Sequence, residues 1–287
     1  MKVLVTGSNG QLGHDVIMEL NKRGYDALGV DIKEMDITDS ASVESVFNGF
    51  GPDAVVHCAA WTAVDAAENN ADACRLVNAK GTGNIADACK RYNTKLVYLS
   101  TDYVFNGEGE TPWKPDDKCE PLNVYGLTKY EGELEVKRLE KFFILRISWV
   151  FGKNGKNFVK TVLGLIENHN VLNFVDDQTG TPTYTPDLSR LICDMLETEK
   201  YGVYHVSNEG GYISWYDFVL EILKQVKRTD VTVNPVSSDE FKTPAKRPHN
   251  SRLDKSKLAE NGFKPLPDWK DALKRYLTEI GDNNESD

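Results

Sequence analysis

Tyr125 and Lys129 stand four residues apart, and Ser100-Thr101-Asp102 closes an apolar run, with Thr101 placed 24 residues before the tyrosine. On a helix, positions i and i+4 share a face, so the Lys129 ammonium can approach the Tyr125 phenol and favour its ionised form. A tyrosine tuned in this way passes a proton at neutral pH, and the Thr101 hydroxyl could bond the oxygen that receives it. By itself a Tyr-x-x-x-Lys pair is an ordinary helix face. Its surroundings in this chain give it meaning.

Gly7-Ser8-Asn9-Gly10-Gln11-Leu12-Gly13 follows the first β-branched run and opens the first helical pattern. Glycines at a strand-to-helix turn let a pyrophosphate approach the backbone, and the helix N-terminus favours its charge. Asn9, Gln11 and Leu12 belong to that cradle with Gly7, Gly10 and Gly13. Asp31 lies 18 residues after Gly13, near the spacing at which a carboxylate bonds the adenosine ribose and repels a 2′-phosphate, which favours NADH. Asp36 and Ile37 would flank the adenine, while Ala59, Ala60, Trp61 and Thr62 end the third strand where pyrophosphate and ribose pass. Hydride would leave the nicotinamide for a carbonyl carbon, with Tyr125 protonating the oxygen, Lys129 holding the nicotinamide ribose and Thr101 stabilising the developing charge.

Strands are predicted at Val3 to Val5, Ala27 to Asp31, Ala54 to Cys58, Lys95 to Ser100 and Phe142 to Ile147. Helices are predicted at Gln11 to Arg23, Ser40 to Phe47 with a serine cap, Ala71 to Arg91, and from Leu122 to Glu140. Continuous apolar strands alternating with helices predict an α/β fold with a doubly wound, parallel, Rossmann-type sheet. From about residue 152 the chain turns richer in Asn, Pro and Thr, with helical pieces at Phe158 to Glu167, Pro186 to Glu197 and Trp215 to Val226. The expected organisation is a dinucleotide-binding core over residues 1–151 and a smaller C-terminal α/β substrate lobe over 152–281, able to return strands or helices to the core. The polar, acidic tail 282–287 is expected to fray.

The chain has 287 residues, a formal net charge of -10 and 40% hydrophobic content. No apolar run approaches the ~18 residues needed to cross a bilayer, so no membrane span is expected. The first residues enter a strand at once and leave no room for a signal peptide, which predicts a cytoplasmic protein. Net acidity without a clustered basic footprint argues against nucleic acid. Five cysteines without CxxC spacing suggest neither a disulfide framework nor a zinc site.

These segments, taken in order, resemble the extended short-chain dehydrogenase/reductase superfamily and, within it, the dTDP-4-dehydrorhamnose reductases. The resemblance rests on the glycine loop and on Ala59-Ala60-Trp61-Thr62-Ala63-Val64-Asp65, Leu99-Ser100-Thr101-Asp102-Tyr103-Val104-Phe105 and Pro121-Leu122-Asn123-Val124-Tyr125-Gly126-Leu127-Thr128-Lys129. It continues through Arg146-Ile147-Ser148-Trp149-Val150-Phe151-Gly152, Asp177-Gln178-Thr179-Gly180-Thr181-Pro182-Thr183 and Arg247-Pro248-His249-Asn250-Ser251. It implies reduction of the 4-keto group of dTDP-4-dehydro-β-L-rhamnose by NADH or NADPH, with Thr101, Tyr125 and Lys129 as the catalytic trio. Asp102 and Trp149 match substrate-contact positions, Val104 belongs to the loop walling the substrate, and Arg247 would pair with a phosphate.

Some relatives of this kind are dimers bridged by a divalent cation such as Mg2+. Asp15 falls where such a carboxylate would sit, but the surroundings of Arg190 and Asp194 supply no acidic cluster, so no metal ligand is assigned. A monomer or a homodimer is expected. The alternatives are another NAD-dependent nucleotide-sugar reductase, an epimerase or a dehydratase on the same scaffold, or a non-catalytic regulatory subunit. The intact Tyr125 and Lys129 speak against the last.

Overall fold

The computed structural model describes residues 1–281, so the predicted frayed tail lies outside the described residues. In the first half, β1 (Lys2–Thr6), α1 (Gln11–Lys22), β2 (Asp26–Val30), α2 (Ser40–Phe50) and β3 (Ala54–His57) alternate. They are followed by α3 (Val64–Glu68), α4 (Ala71–Arg75), α5 (Thr82–Tyr92), β4 (Lys95–Thr101), α6 (Val124–Val136) and β5 (Phe142–Ile147). The second half contains β6 (Val150–Phe151), α7 (Phe158–Ile166), β7 (Val171–Val175), β8 (Thr179–Gly180), β9 (Thr183–Tyr184) and α8 (Thr185–Leu196). Then come β10 (Gly202–Val206), β11 (Ile213–Ser214), α9 (Trp215–Gln225), β12 (Thr232–Val236), α10 (Ser256–Glu260) and α11 (Trp269–Gly281).

Six strands form one parallel sheet in the order β10-β5-β4-β3-β1-β2. Its central strands are buried on both faces, which is why they read as unbroken apolar runs. Val3, Val5, Val56, Val97 and Leu145 face the layer holding α1 and α8, while Leu4, Val55, Leu96, Tyr98 and Ile144 face the layer holding α2, α5 and α6. The chain leaves β1 toward β2 and returns to its other side as β3. A crevice opens at such a reversal, at the carboxyl ends of the strands.

Three elements past residue 151 belong to this sheet and its cover. Helix α8 packs on α1, β10 pairs with β5 in parallel from Gly202 to Val206, and α10 packs on β10 through Leu258. No strand was predicted at β10, because its five residues are preceded and followed by turn-rich sequence. A third apolar cluster joins Phe151, Val159, Phe218, Trp269 and Tyr276, and holds α7, α9 and α11 together.

Two helical readings change in detail. The long helix predicted from Ala71 to Arg91 is interrupted by a π-helical turn, Leu76–Gly81, between α4 and α5. The cap of α2 is Asp39, whose carboxylate accepts the Ala41 N–H, rather than Ser40.

Candidate active site

The glycine loop sits directly after β1. Gly7 holds a left-handed φ of 65°, and a Cβ there would stand 2.7 Å from the Ala59 amide nitrogen. A Cβ on Gly13 would stand 2.2 Å from the Gly7 carbonyl oxygen. The backbone of the loop thus folds tightly onto the start of α1, whose Gly10 cap supplies no side chain to the first amides. Those amides are left for an anion. Asp31 closes this end of the crevice, with its Oδ2 accepting the Asn9 N–H at 2.9 Å.

A cavity of about 960 Å³ runs from this loop to Trp149 and Trp215. Of the residues expected to hold a dinucleotide, Gly7, Asn9, Gly10, Gln11, Leu12, Gly13, Asp31, Asp36, Ile37, Ala59, Ala60, Thr62, Tyr125 and Lys129 line it. Glycines that admit no Cβ, an acidic residue after β2 and a crevice of this size fit a dinucleotide. Trp61 does not line the cavity. Its backbone N–H donates to Asn78 Oδ1 at 2.8 Å, and its indole N–H turns to the Ala63 carbonyl at 3.1 Å.

Asn78 escaped the sequence reading, because helical periodicity carries no sign of a π turn. Buried in that turn, it also donates from Nδ2 to the Trp61 carbonyl and to Thr128 Oγ1. It therefore joins the loop after β3 to the helix that carries the tyrosine and lysine. Wide turns of this kind recur at functional sites.

Helix α6 begins at Val124, capped by Asn123 Oδ1 on the Gly126 N–H at 2.8 Å. A Cβ at position 126 would stand 2.1 Å from the Tyr103 carbonyl oxygen, so glycine there lets the helix lie against the chain leaving β4. This approach gathers Thr101, Asp102, Tyr125 and Lys129 around one end of the cavity.

Burial dominates the electrostatics of both Tyr125 and Lys129. Lys129 is 3% exposed, and its Nζ lies 4.0 Å from the Tyr98 ring centroid. Burial lowers it to about 7, against the pull of the Glu133 carboxylate. Burial also pushes the Tyr125 phenol up; the Thr101 side chain works against this, and the Asp102 carboxylate adds to it. Tyr125 is therefore held protonated, the form an acid needs.

Asp102 is buried. Its Oδ1 accepts the Thr101 hydroxyl at 3.0 Å, while its Oδ2 has no hydrogen-bond partner among the described residues. Burial raises this carboxyl to about 6, although its hydrogen bonds favour the charged form. Behind the trio, Glu133 accepts Ser100 Oγ at 2.6 Å and both Nε and Nη2 of Arg146 at 2.8 Å. That pair is buried and fully bonded, and it fixes α6 against β4 and β5.

Trp149 takes a left-handed φ of 49°, uncommon for a bulky residue, and stacks on Trp215 at 3.7 Å between ring centroids. Beyond them lies a second cavity of about 900 Å³, which shares Tyr103, Phe158 and Trp215 with the first. Arg247 lines this second cavity, bonded to Asp65 through Nη1 and Nη2. Val104 reaches neither cavity, which corrects its expected role: its side chain is fully buried against Phe105 and Leu253. Tyr103, one residue earlier, faces both. Neither Tyr103 nor Trp215 was singled out from the sequence, since a loop aromatic and the first residue of a helix carry no periodic signal.

A family model described as the RmlD substrate binding domain matches residues 1–281. The chain belongs to the RmlD family. A dTDP-4-dehydrorhamnose reductase of Aggregatibacter actinomycetemcomitans is 39% identical to this chain over 287 residues, covering 95% of it and 97% of the relative. The crystal structure of a dTDP-4-dehydrorhamnose reductase from Clostridium acetobutylicum superposes with a TM-score of 0.95 at 40% identity, covering 98% of this chain and 100% of that one. That of Bacillus anthracis, in complex with NADP, gives a TM-score of 0.93 at 42% identity, covering 97% of this chain and 99% of that one.

Among the described residues, no group of three or more His, Cys, Asp or Glu side chains could hold a metal ion. Asp15 is bonded to Thr185 and to His14. No helix is long and apolar enough to cross a membrane, again among the described residues.

Proposed function

We propose that this RmlD-family chain reduces the 4-keto group of dTDP-4-dehydro-β-L-rhamnose to give dTDP-β-L-rhamnose. The observation that carries the reading is the placement of Thr101, Tyr125 and Lys129 in the glycine-loop cavity, beside the aromatic junction with a second cavity that ends on Arg247. One cavity suits a dinucleotide and the other a nucleotide sugar, so reductant and carbonyl would meet at the trio. NADPH or NADH, when bound, supplies the hydride. The NADP-bound relative and the commitment of Asp31 to the Asn9 amide speak against excluding NADPH.

The residues do the rest. Tyr125 donates its proton to the carbonyl oxygen as hydride reaches the carbon. Thr101 hydrogen-bonds the same oxygen once its hydroxyl leaves Asp102. Lys129 holds the nicotinamide ribose and stabilises the phenolate as it forms. Asp102, Trp149 and Arg247 contact the nucleotide sugar. Residues 1–151 serve as the dinucleotide-binding core, and residues 152–281 mainly as the substrate lobe. The protein works in the cytoplasm as a monomer or homodimer.

The test is a cofactor-oxidation assay with dTDP-4-keto-6-deoxy sugars and each reduced nicotinamide, with product stereochemistry read by NMR. Stoichiometric oxidation and a rhamno-configured product are expected. No net oxidation with any of these sugars refutes the reductase reading.

A further inference from the structure

The segment from Ala245 to Arg247 closes one side of the second cavity, and the N-terminal half holds it by side chains from two helices. Asp65 on α3 accepts the Ala245 N–H and Arg247 Nη1 on Oδ1, at 3.2 and 3.1 Å, and Arg247 Nη2 on Oδ2 at 2.8 Å. Asn123 donates from Nδ2 to the Lys246 carbonyl at 2.8 Å, while its Oδ1 caps α6. Glu68, one turn after Asp65 on α3, accepts the Val124 N–H at 2.8 Å. The arm that presents Arg247 and the start of the helix carrying Tyr125 are thus bound to the same short helix.

We propose that Asp65 is a positioning residue: it aims Arg247 at the phosphates of a nucleoside diphosphate sugar and locks the arm to the N-terminus of α6. This rests on the reading of the second cavity as the nucleotide-sugar site. An arginine alone on an irregular segment loses rotamer freedom when it binds an anion. A carboxylate that occupies its fork in advance removes that loss and leaves other N–H donors for the ligand. The pair stays ionised, since each partner's charge stabilises the other's. Pairing neutralises the arginine, but Lys242 and Lys246 line the same cavity and keep it attractive to a diphosphate.

The experiment titrates dTDP into the full chain by calorimetry and measures kcat and KM for the nucleotide sugar. It uses wild type, Asp65→Asn, Arg247→Gln and the double variant, with thermal unfolding confirming the fold. Wild type that fails to bind dTDP defeats the cavity reading itself, and this is seen before any variant is compared. Given wild-type binding, Asp65→Asn should raise the dTDP Kd and the KM by ~10-fold, the scale of one charge-assisted hydrogen bond. NADPH affinity should not move. In the Arg247→Gln background the same change should add less than about 2-fold, because Asp65 acts through the arginine. Unchanged or tighter dTDP binding, or additive effects in the cycle, overturns the proposal. Should Asp65→Asn not fold, Asp65→Glu, which displaces the carboxylate by one methylene, must weaken dTDP binding, and unchanged binding overturns the proposal equally.

Discussion

Replacing Lys129 with methionine should make the protein more stable while removing its activity. The lysine falls from 10.5 to about 7 because it is buried. Its folded pKa lies below its unfolded one, so the folded state resists a proton that the unfolded chain holds. The cost is absent above 10.5, grows as pH falls, and is complete below about 7. At about 1.4 kcal/mol per pH unit the full cost is ~5 kcal/mol, and ~4 kcal/mol of it is present at pH 7. The cation–π contact with Tyr98, at 4.0 Å, returns ~1–2 kcal/mol. Methionine keeps the stem's packing and a sulfur–aromatic contact.

Lys129→Met should therefore unfold at higher urea, with a gain of about 2–3 kcal/mol near pH 7 that shrinks to about 1 kcal/mol near pH 10. The other buried groups are common to both proteins, so the difference between them isolates the lysine. Turnover in the cofactor-oxidation assay should fall by ~100-fold or more, since the group proposed to hold the ribose and stabilise the phenolate is gone. A variant no more stable than wild type near pH 7 refutes the burial argument. So does a gain that stays constant to pH 10.

Tyr125→Phe should lower turnover by ~100-fold or more, with NADPH affinity in a fluorescence titration unchanged, because it removes one general acid and no phosphate contact. Asp102→Asn should stabilise the fold near neutral pH: its carboxyl rises from 3.8 to about 6, so ionisation costs nothing below 3.8 and the most above 6. That cost is ~3 kcal/mol, and urea melts of variant and wild type should converge near pH 4. Gly13→Ala puts a Cβ 2.2 Å from the Gly7 carbonyl, so the loop must shift, and NADPH affinity should drop by ~100-fold in the same titration.

The features legible in the sequence are those that local geometry fixes. A strand, a Gly7-to-Gly13 turn and a helix lie within one βα unit, and Tyr125 and Lys129 share one helical face whatever the rest of the chain does. The apolar strands announced a parallel sheet because both of their faces are covered. What stayed hidden depends on distant partners. The π turn exists because Asn78 holds the Trp61 backbone and Thr128, 17 and 50 residues away. Strand β10 is only five residues long and earns its place by pairing with β5. Asp65 and Arg247 lie 182 residues apart and meet only after the second half has folded back. The same limit explains Val104: its neighbour Tyr103 faces the cavities, and which of two adjacent loop residues turns inward is settled by the packing of Phe105 and Leu253.

Destabilising features collect at one place in this fold. Among the described residues, Lys129 is buried without a carboxylate within ion-pair distance and Asp102 Oδ2 without a hydrogen bond, and Trp149 holds a left-handed backbone. Each works against folding, and all three line the first cavity. The contrast is with Glu133 and Arg146, equally buried, where each charge meets its partner through two hydrogen bonds of 2.8 Å. A chain able to satisfy Glu133 so fully could have satisfied Asp102 too. Such groups are where an incoming molecule would supply the missing partners: a donor for Asp102, a hydroxyl oxygen for Lys129 and a ring or sugar face for Trp149. A nucleotide cofactor and a keto sugar together carry all three.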